Sequence, residues 1–204
     1  MKTLLRIDTS SRTQGSHSRK LADYLEAKWK VLYPSGKVIY RDLVTSVIPH
    51  IHNTTIEGFY TPKECMSEET LQSTALSDEL IKELSDADEI LISSPLYNLN
   101  IPSNLKAYID HVVRINHTFG IREDGSYYGL LRNKNAYLAL VKGGTYTGTP
   151  MEAYDFQEPY LKAILHHIGI VVKNTFSLEG TSETNILQNN IINIHKQIET
   201  IFKN

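Results

Sequence analysis

Five short apolar runs alternate with helical stripes along this chain of 204 residues, and that alternation constrains the fold more than anything else in it. The runs are Leu4-Leu5-Arg6-Ile7, Val38-Ile39-Tyr40, Glu89-Ile90-Leu91-Ile92-Ser93, Ala136 to Val141, and Ile170 to Phe176. Residues spaced as on one face of a helix follow each run. They are Leu21, Tyr24, Leu25 and Trp29; Leu71, Ala75, Leu80, Ile81 and Leu84; Leu105, Tyr108, Ile109, Val112 and Val113; and Tyr160, Leu161, Ile164, Leu165 and Ile168. A fifth helix is expected over about 182–202, with Ile191, Ile194, Ile198 and Ile201 inward. A helix after every strand implies a parallel sheet with right-handed crossovers and helices on both faces, an α/β sandwich of three layers. Ser67 is a good N-cap for the second helix, with Glu68 and Glu69 in its first turn, and Gly169 suits the end of the fourth. With no repeat, low-complexity tract or linker, residues 1–204 are expected to form one domain.

The loops after the strands carry the functional signal, because open α/β sheets bind ligands at the carboxyl ends of their strands. After the first strand comes Asp8-Thr9-Ser10-Ser11-Arg12-Thr13-Gln14-Gly15-Ser16-His17-Ser18. Its last hydroxyls would lie at a helix N-terminus, where unpaired N–H groups and the helix dipole favour an anion. Ser10, Ser16 and Ser18 are the candidate phosphate ligands, and His17 adds charge only if protonated. Capping needs one such serine; this loop is denser than that. It lacks both G-x-x-x-x-G-K-[ST] and G-x-G-x-x-G, which argues against a nucleotide triphosphatase and a Rossmann dinucleotide site.

After the third strand comes Pro95-Leu96-Tyr97-Asn98-Leu99-Asn100, with a ring that can stack and an amide. That equipment suits a planar, polar aromatic ligand such as a flavin. After the fourth comes Val141-Lys142-Gly143-Gly144, whose glycines read equally as an ordinary turn or as allowing close backbone approach to a flat ring. Their N–H groups would donate to the pyrimidine edge of a flavin, with Lys142 adding positive charge. In the strand order 2-1-3-4-5 these three loops are neighbours.

Two segments exceed what connections require. Residues 44–66 are rich in turn formers and aromatics, and residues 116–134 hold the hairpin signal Asp124-Gly125. Their aromatic residues, Phe59, Tyr60, Phe119, Tyr127 and Tyr128, favour lids over a ligand above the alternative of plain surface excursions.

With these residues in hand, the chain resembles the FMN-dependent NADH:quinone oxidoreductases, also called NADH azoreductases, over nearly its whole length. Ser10 with Ser16-His17-Ser18 is similar to the family's phosphate loop, Pro95 to Asn100 to its P-[ML]-Y-N-F-N motif, and Lys142-Gly143-Gly144 to its R-G-G. The resemblance implies a flavodoxin-like fold, a homodimer, one non-covalent FMN per chain, NADH as donor, and ping-pong reduction of a quinone or azo compound. The cofactor residues carried over are Ser10, Ser16, His17, Ser18, Pro95, Leu96, Tyr97, Asn98, Leu99, Val141, Lys142, Gly143 and Gly144. Substrate contacts fall to Phe59, Tyr60, Phe119 and Ile121, with the chemistry left to the flavin. Leu99 replaces the usual Phe, Lys142 the usual Arg, and Ile121 a tyrosine flanking the substrate.

Other classes are less well served. A formal charge of −2 gives no reason to expect nucleic acid or an anionic membrane. No apolar run approaches the ~18 residues of a membrane span, and the start of the chain is too short an apolar run for a signal peptide, so a cytoplasmic setting is expected. Cys65, the single cysteine, excludes a disulfide framework and is expected to lie half-buried in a loop. His50-Ile51-His52 and His166-His167 lack partners at metal-ligand spacing, so no metal is expected. Alternatives are a flavodoxin-type electron carrier, which the long inserts and modest charge disfavour, and a flavin-binding protein without turnover.

Overall fold

A computed structural model describes residues 1–202. The strands are β1 (Thr3–Asp8), β2 (Lys37–Asp42), β3 (Glu89–Pro95), β4 (Phe119–Ile121), β5 (Tyr127–Gly129), β6 (Asn135–Val141) and β7 (Val171–Leu178). The helices are α1 (His17–Leu32), α2 (Asn53–Tyr60), α3 (Glu68–Asp86), α4 (Ser103–Val112), α5 (Gln157–His167) and α6 (Thr184–Ile201). The main sheet is parallel throughout, in the order β2-β1-β3-β6-β7, which is the expected 2-1-3-4-5.

Alternation along the strands divides the core in two. Leu5, Ile7, Ile90, Ile92, Leu138 and Leu140 face α3, α4 and α5. Leu4, Leu91, Tyr137, Ala139, Val141 and Phe176 face α1 and α6. The helix ends follow local chemistry. Ser67 Oγ accepts from Thr70 N–H at 3.2 Å. At the end of α5, Gly169 at φ +93 lets its own N–H reach His166 O and Ile170 N–H reach Leu165 O, the paired bonds of a Schellman cap.

Several expectations need correction. There are six α-helices, because residues 44–66 contain α2. The inward stripe of α3 is Thr74, Ser77, Leu80, Ile81 and Leu84, while Leu71 and Ala75 are exposed. The upper part of α3 faces α2, where small groups are needed: a Cβ on Gly58 would come within 2.5 Å of Thr74 Cγ2. Ser77 donates to His111 O at 2.7 Å, filling the place of an apolar contact. In α6, Ile201 is exposed and Phe202 turns inward, since i+4 from Ile198 lies closer to the buried face than i+3 does here. Cys65 is exposed in a short 3-10 turn.

Residues 116–134 form the expected hairpin. β4 and β5 pair antiparallel, with Gly125 at φ +82 in the turn. Gly129 backs directly onto Gly169, where an added Cβ would lie 2.1 Å from the Gly169 nitrogen. The hairpin is thereby fixed at the C-terminal end of α5, beside the amino ends of the sheet strands.

Candidate functional site

Parallel register brings the ends of β1, β3, β6 and β7 side by side: Asp8 lies opposite Ser93, Pro95 opposite Val141, and Val141 opposite Leu178. Cross-links hold them. Ser93 Oγ donates to Asp8 Oδ1 at 2.6 Å, Thr9 N–H donates to Ser93 O, and Leu96 N–H donates to Val141 O. A cleft of about 250 Å³ opens there, lined by residues of all three expected loops: Ser10, Ser16, His17 and Ser18; Pro95, Leu96 and Tyr97; Val141 and Gly143.

At one end, Ser16 caps α1, its Oγ accepting from Arg19 N–H at 3.4 Å and lying 3.2 Å from Ser18 Oγ. Ser10, Ser16 and Ser18 are all buried. The N–H groups of His17 and Ser18 have no protein acceptor among the described residues. Arg19 stiffens this loop: it donates to the carbonyls of Ser10 and Arg12 while its guanidinium holds both oxygens of Asp42 at 2.6 and 2.9 Å. Burial, with Lys20 and Arg12 nearby, pushes His17 below the usual imidazole value and so disfavours its charged form. Arg12, which lines the cleft, is a cation at this end. Convergent hydroxyls, unpaired helical N–H groups and one arginine are the donor set a phosphate monoester needs.

At the other end, Tyr97 and Asn100 exchange backbone hydrogen bonds of 2.8 and 3.0 Å across a two-residue turn. Asn98 and Leu99 within it have φ of 48 and 69, as in a type I′ turn. Asn tolerates that region; Leu seldom does. Phe156 N–H braces the turn by donating to Leu99 O at 3.1 Å. The N–H groups of Asn98, Leu99, Gly143 and Gly144 have no protein acceptor among the described residues; of these four residues Gly143 alone lines the cleft, and Asn98, Leu99 and Gly144 lie beside it in the same loops. A Cβ on Gly144 would meet only Tyr146 Cε2, at 3.9 Å. Gly144→Val is therefore expected to keep wild-type stability within about 0.5 kcal/mol, while losing flavin where the new side chain occupies the ring's place. Flavin content by absorbance, together with the melting temperature, checks this; full occupancy in a folded variant would remove Gly144 from the site.

Other expected residues are placed differently. Lys142 carries no charge into the cleft: its buried ammonium lies 2.6 Å from Asp155 and 3.0 Å from Glu179. Phe59 and Tyr60 line a separate cavity of about 770 Å³ with Arg114, whose guanidinium sits 4.8 Å from the Phe59 ring centroid. Phe119 packs on Tyr127 and His167, and Ile121 is exposed on the hairpin. None of these four lines the cleft of its own chain, because their segments are anchored on α3 and on the end of α5. The cleft also includes Arg12, Gly15, Thr181 and Ser182. The last two follow the fifth strand of the sheet, and the rule that ligands sit beyond strand carboxyl ends would have found them. Among the described residues no three His, Cys, Asp or Glu side chains gather as a metal site; His166 is exposed and His167 is held by aromatic rings.

Sheet order, with a cleft at the strand ends, defines a flavodoxin-like α/β protein. A family model described as a flavodoxin-like fold matches residues 1–200. Two curated FMN-dependent NADH:quinone oxidoreductases align closely. That of Xanthobacter autotrophicus is 48% identical over 172 residues, 83% of this chain and 82% of the relative. That of Hydrogenovibrio crunogenus is 44% identical over 170 residues, 83% of this chain and 84% of the relative. The chain belongs to the flavodoxin-like family of FMN-dependent NADH:quinone oxidoreductases. Among solved structures, an azoreductase of Bacillus anthracis shares the fold at a TM-score of 0.91 and 24% identity, each chain covered over 99%. A second from that organism, an FMN-dependent NADH-azoreductase in complex with FMN, aligns at a TM-score of 0.85 and 24% identity over 100% of both chains.

Proposed function

We propose that this protein is an FMN-dependent NADH:quinone oxidoreductase, a single flavin-binding domain that also reduces aromatic azo compounds. The observation that carries this reading is the convergence of three loops on one cleft, hydroxyls and helical N–H groups at one end and unpaired loop N–H groups at the other. Ser10, Ser16 and Ser18, with the N-terminus of α1 and Arg12, would hold the phosphate. Pro95, Leu96, Tyr97 and the Asn98-Leu99 turn, facing Val141, Gly143 and Gly144, would hold the ring. FMN, once bound, supplies the two-electron chemistry between NADH and the acceptor. The protein positions the ring, directs N–H donors at its polar edge where charge accumulates on reduction, and leaves one face open to each substrate in turn. With one face shared, NADH oxidation in the presence of a quinone should give parallel lines in double-reciprocal plots. Intersecting lines would overturn the shared-face mechanism, and no turnover with FMN present would overturn the enzyme reading.

We further infer a homodimer. Phe59, Tyr60, Phe119 and Ile121 lie away from their own chain's cleft, so a substrate role for them requires a second copy. Exposed Tyr60, Ile121 and Tyr127 support a self-complementary contact that would seat these side chains over a partner's cleft. Sedimentation at micromolar concentration should return a dimer; an active monomer would refute it. Among the described residues no helix is long and apolar enough to cross a membrane.

A further inference from the structure

The loop after β6 presents three consecutive N–H groups, of Gly143, Gly144 and Thr145, that find no protein acceptor among the described residues. Two glycines in a row do not hold such a loop still. Its carbonyls are tied to the segment after β7: Thr181 N–H donates to Lys142 O, Ser182 N–H to Gly143 O and Gly180 N–H to Gly144 O. Its far end is tied by two side chains: Thr149 Oγ1 donates to Thr145 O at 3.2 Å and Tyr146 O at 2.9 Å, and Glu179 gathers the N–H groups. Glu179 Oε2 accepts from Tyr146 N–H at 2.7 Å and Thr147 N–H at 3.0 Å. Its Oε1 accepts from Thr147 Oγ1 at 2.8 Å and Lys142 Nζ at 3.0 Å. Four donors from one short loop converge on this carboxylate.

Lys142 extends the arrangement. Its ammonium also meets Asp155 Oδ2 at 2.6 Å, and Asp155 Oδ1 accepts from Gln157 N–H at the start of α5. The Gln157 amide donates in turn to Ser94 O at 3.2 Å, beside the second ring-holding loop. Burial alone would raise the Glu179 carboxyl, but the Tyr146, Thr147 and Lys142 donors hold it below the usual range, so it is ionised at neutral pH.

We propose that Glu179 is a positioning residue for the flavin: it touches no part of the cleft wall, and by gathering Lys142, Tyr146 and Thr147 it sets the direction of the Gly143, Gly144 and Thr145 N–H groups. This rests on the flavin reading above. The role needs a carboxylate, because every neighbour is a donor and an ionised carboxylate offers only acceptors. An amide of the same shape would turn its NH₂ toward at least one donor, and the loop would have to move.

Glu179→Gln is the test. Backbone amide exchange at Tyr146 and Thr147 should accelerate in the apoprotein. FMN and riboflavin should both bind about tenfold or more weakly, by the same factor, because the phosphate end is untouched. The flavin potential should become more negative as donors at the ring's polar edge are misdirected. If that variant fails to fold, Thr147→Ala removes one exposed donor and should weaken both flavins by about twofold to threefold. Amide exchange and flavin affinity equal to wild type would overturn the proposal alone. So would a loss confined to FMN, which would place the effect at the phosphate. Wild-type protein that takes up neither FMN nor riboflavin would overturn the flavin reading and this proposal with it.

Discussion

Ser18→Ala is expected to weaken FMN binding by about 1–3 kcal/mol, the range for a charge-assisted hydrogen bond to a buried partner, and to leave riboflavin binding unchanged. Ser18 is 1% exposed and occupies the second position of α1, so its hydroxyl and its unpaired N–H point into the same end of the cleft. Removing the hydroxyl there costs little fold stability, since its one hydrogen-bond partner in the protein, among the described residues, is Ser16 Oγ at 3.2 Å. Ser16→Ala should look different. Ser16 is also the N-cap, so about 0.5–2 kcal/mol of stability should go with the ligand contact. The two hydroxyls touch, so the double variant should lose less than the sum of the singles. Fluorescence titration of the apoprotein with both flavins decides the matter. Equal wild-type affinity for FMN and riboflavin would mean that the hydroxyl loop recognises no phosphate.

The largest effect on stability is expected at Trp29. This side chain is 1% exposed in the layer between α1 and the sheet. Its Nε1 donates to Glu89 Oε2 at 2.6 Å, and Glu89 is itself 2% exposed at the start of β3. Gly36 makes room for the ring, since a Cβ there would come within 2.4 Å of it. Trp29→Ala should cost about 3–5 kcal/mol for the lost packing and cavity, with about 1–3 kcal/mol more for a buried carboxylate left without its donor. Set against a typical stability of about 5–15 kcal/mol, that brings the protein close to unfolding. Trp29→Phe keeps most of the packing and should show chiefly the second loss. Denaturant midpoints at unchanged slope measure both. Similar losses in the two variants would mean that the hydrogen bond, and not the ring's volume, holds this layer.

Where the structure follows the sequence, the information was local. Strand and helix alternate because side-chain spacing sets which face of an element is apolar, and that spacing is visible residue by residue. The cap at Ser16, the hairpin turn at Gly125 and the end of α5 at Gly169 are also local, each a matter of one side chain or one backbone angle. So is the hydroxyl density of the first loop. The sheet order then brings the loops together, because parallel crossovers leave every strand's carboxyl end on the same edge.

Pairing between residues far apart in the chain is set by the packed fold alone. Lys142 reads as a cation for the ring, yet Asp155 and Glu179 draw its ammonium away, and Glu179 stands 37 residues along the chain. Trp29 and Glu89 are 60 residues apart, and nothing in an apolar strand announces that its first residue is a buried acceptor. The lid aromatics were visible as a composition, but their direction is set where Gly58 meets α3 and Gly129 meets Gly169, which turns them from their own cleft. Periodicity in the sequence determined the layers and the edge that binds; the direction of each long side chain waited on partners that only folding brings within a few ångströms.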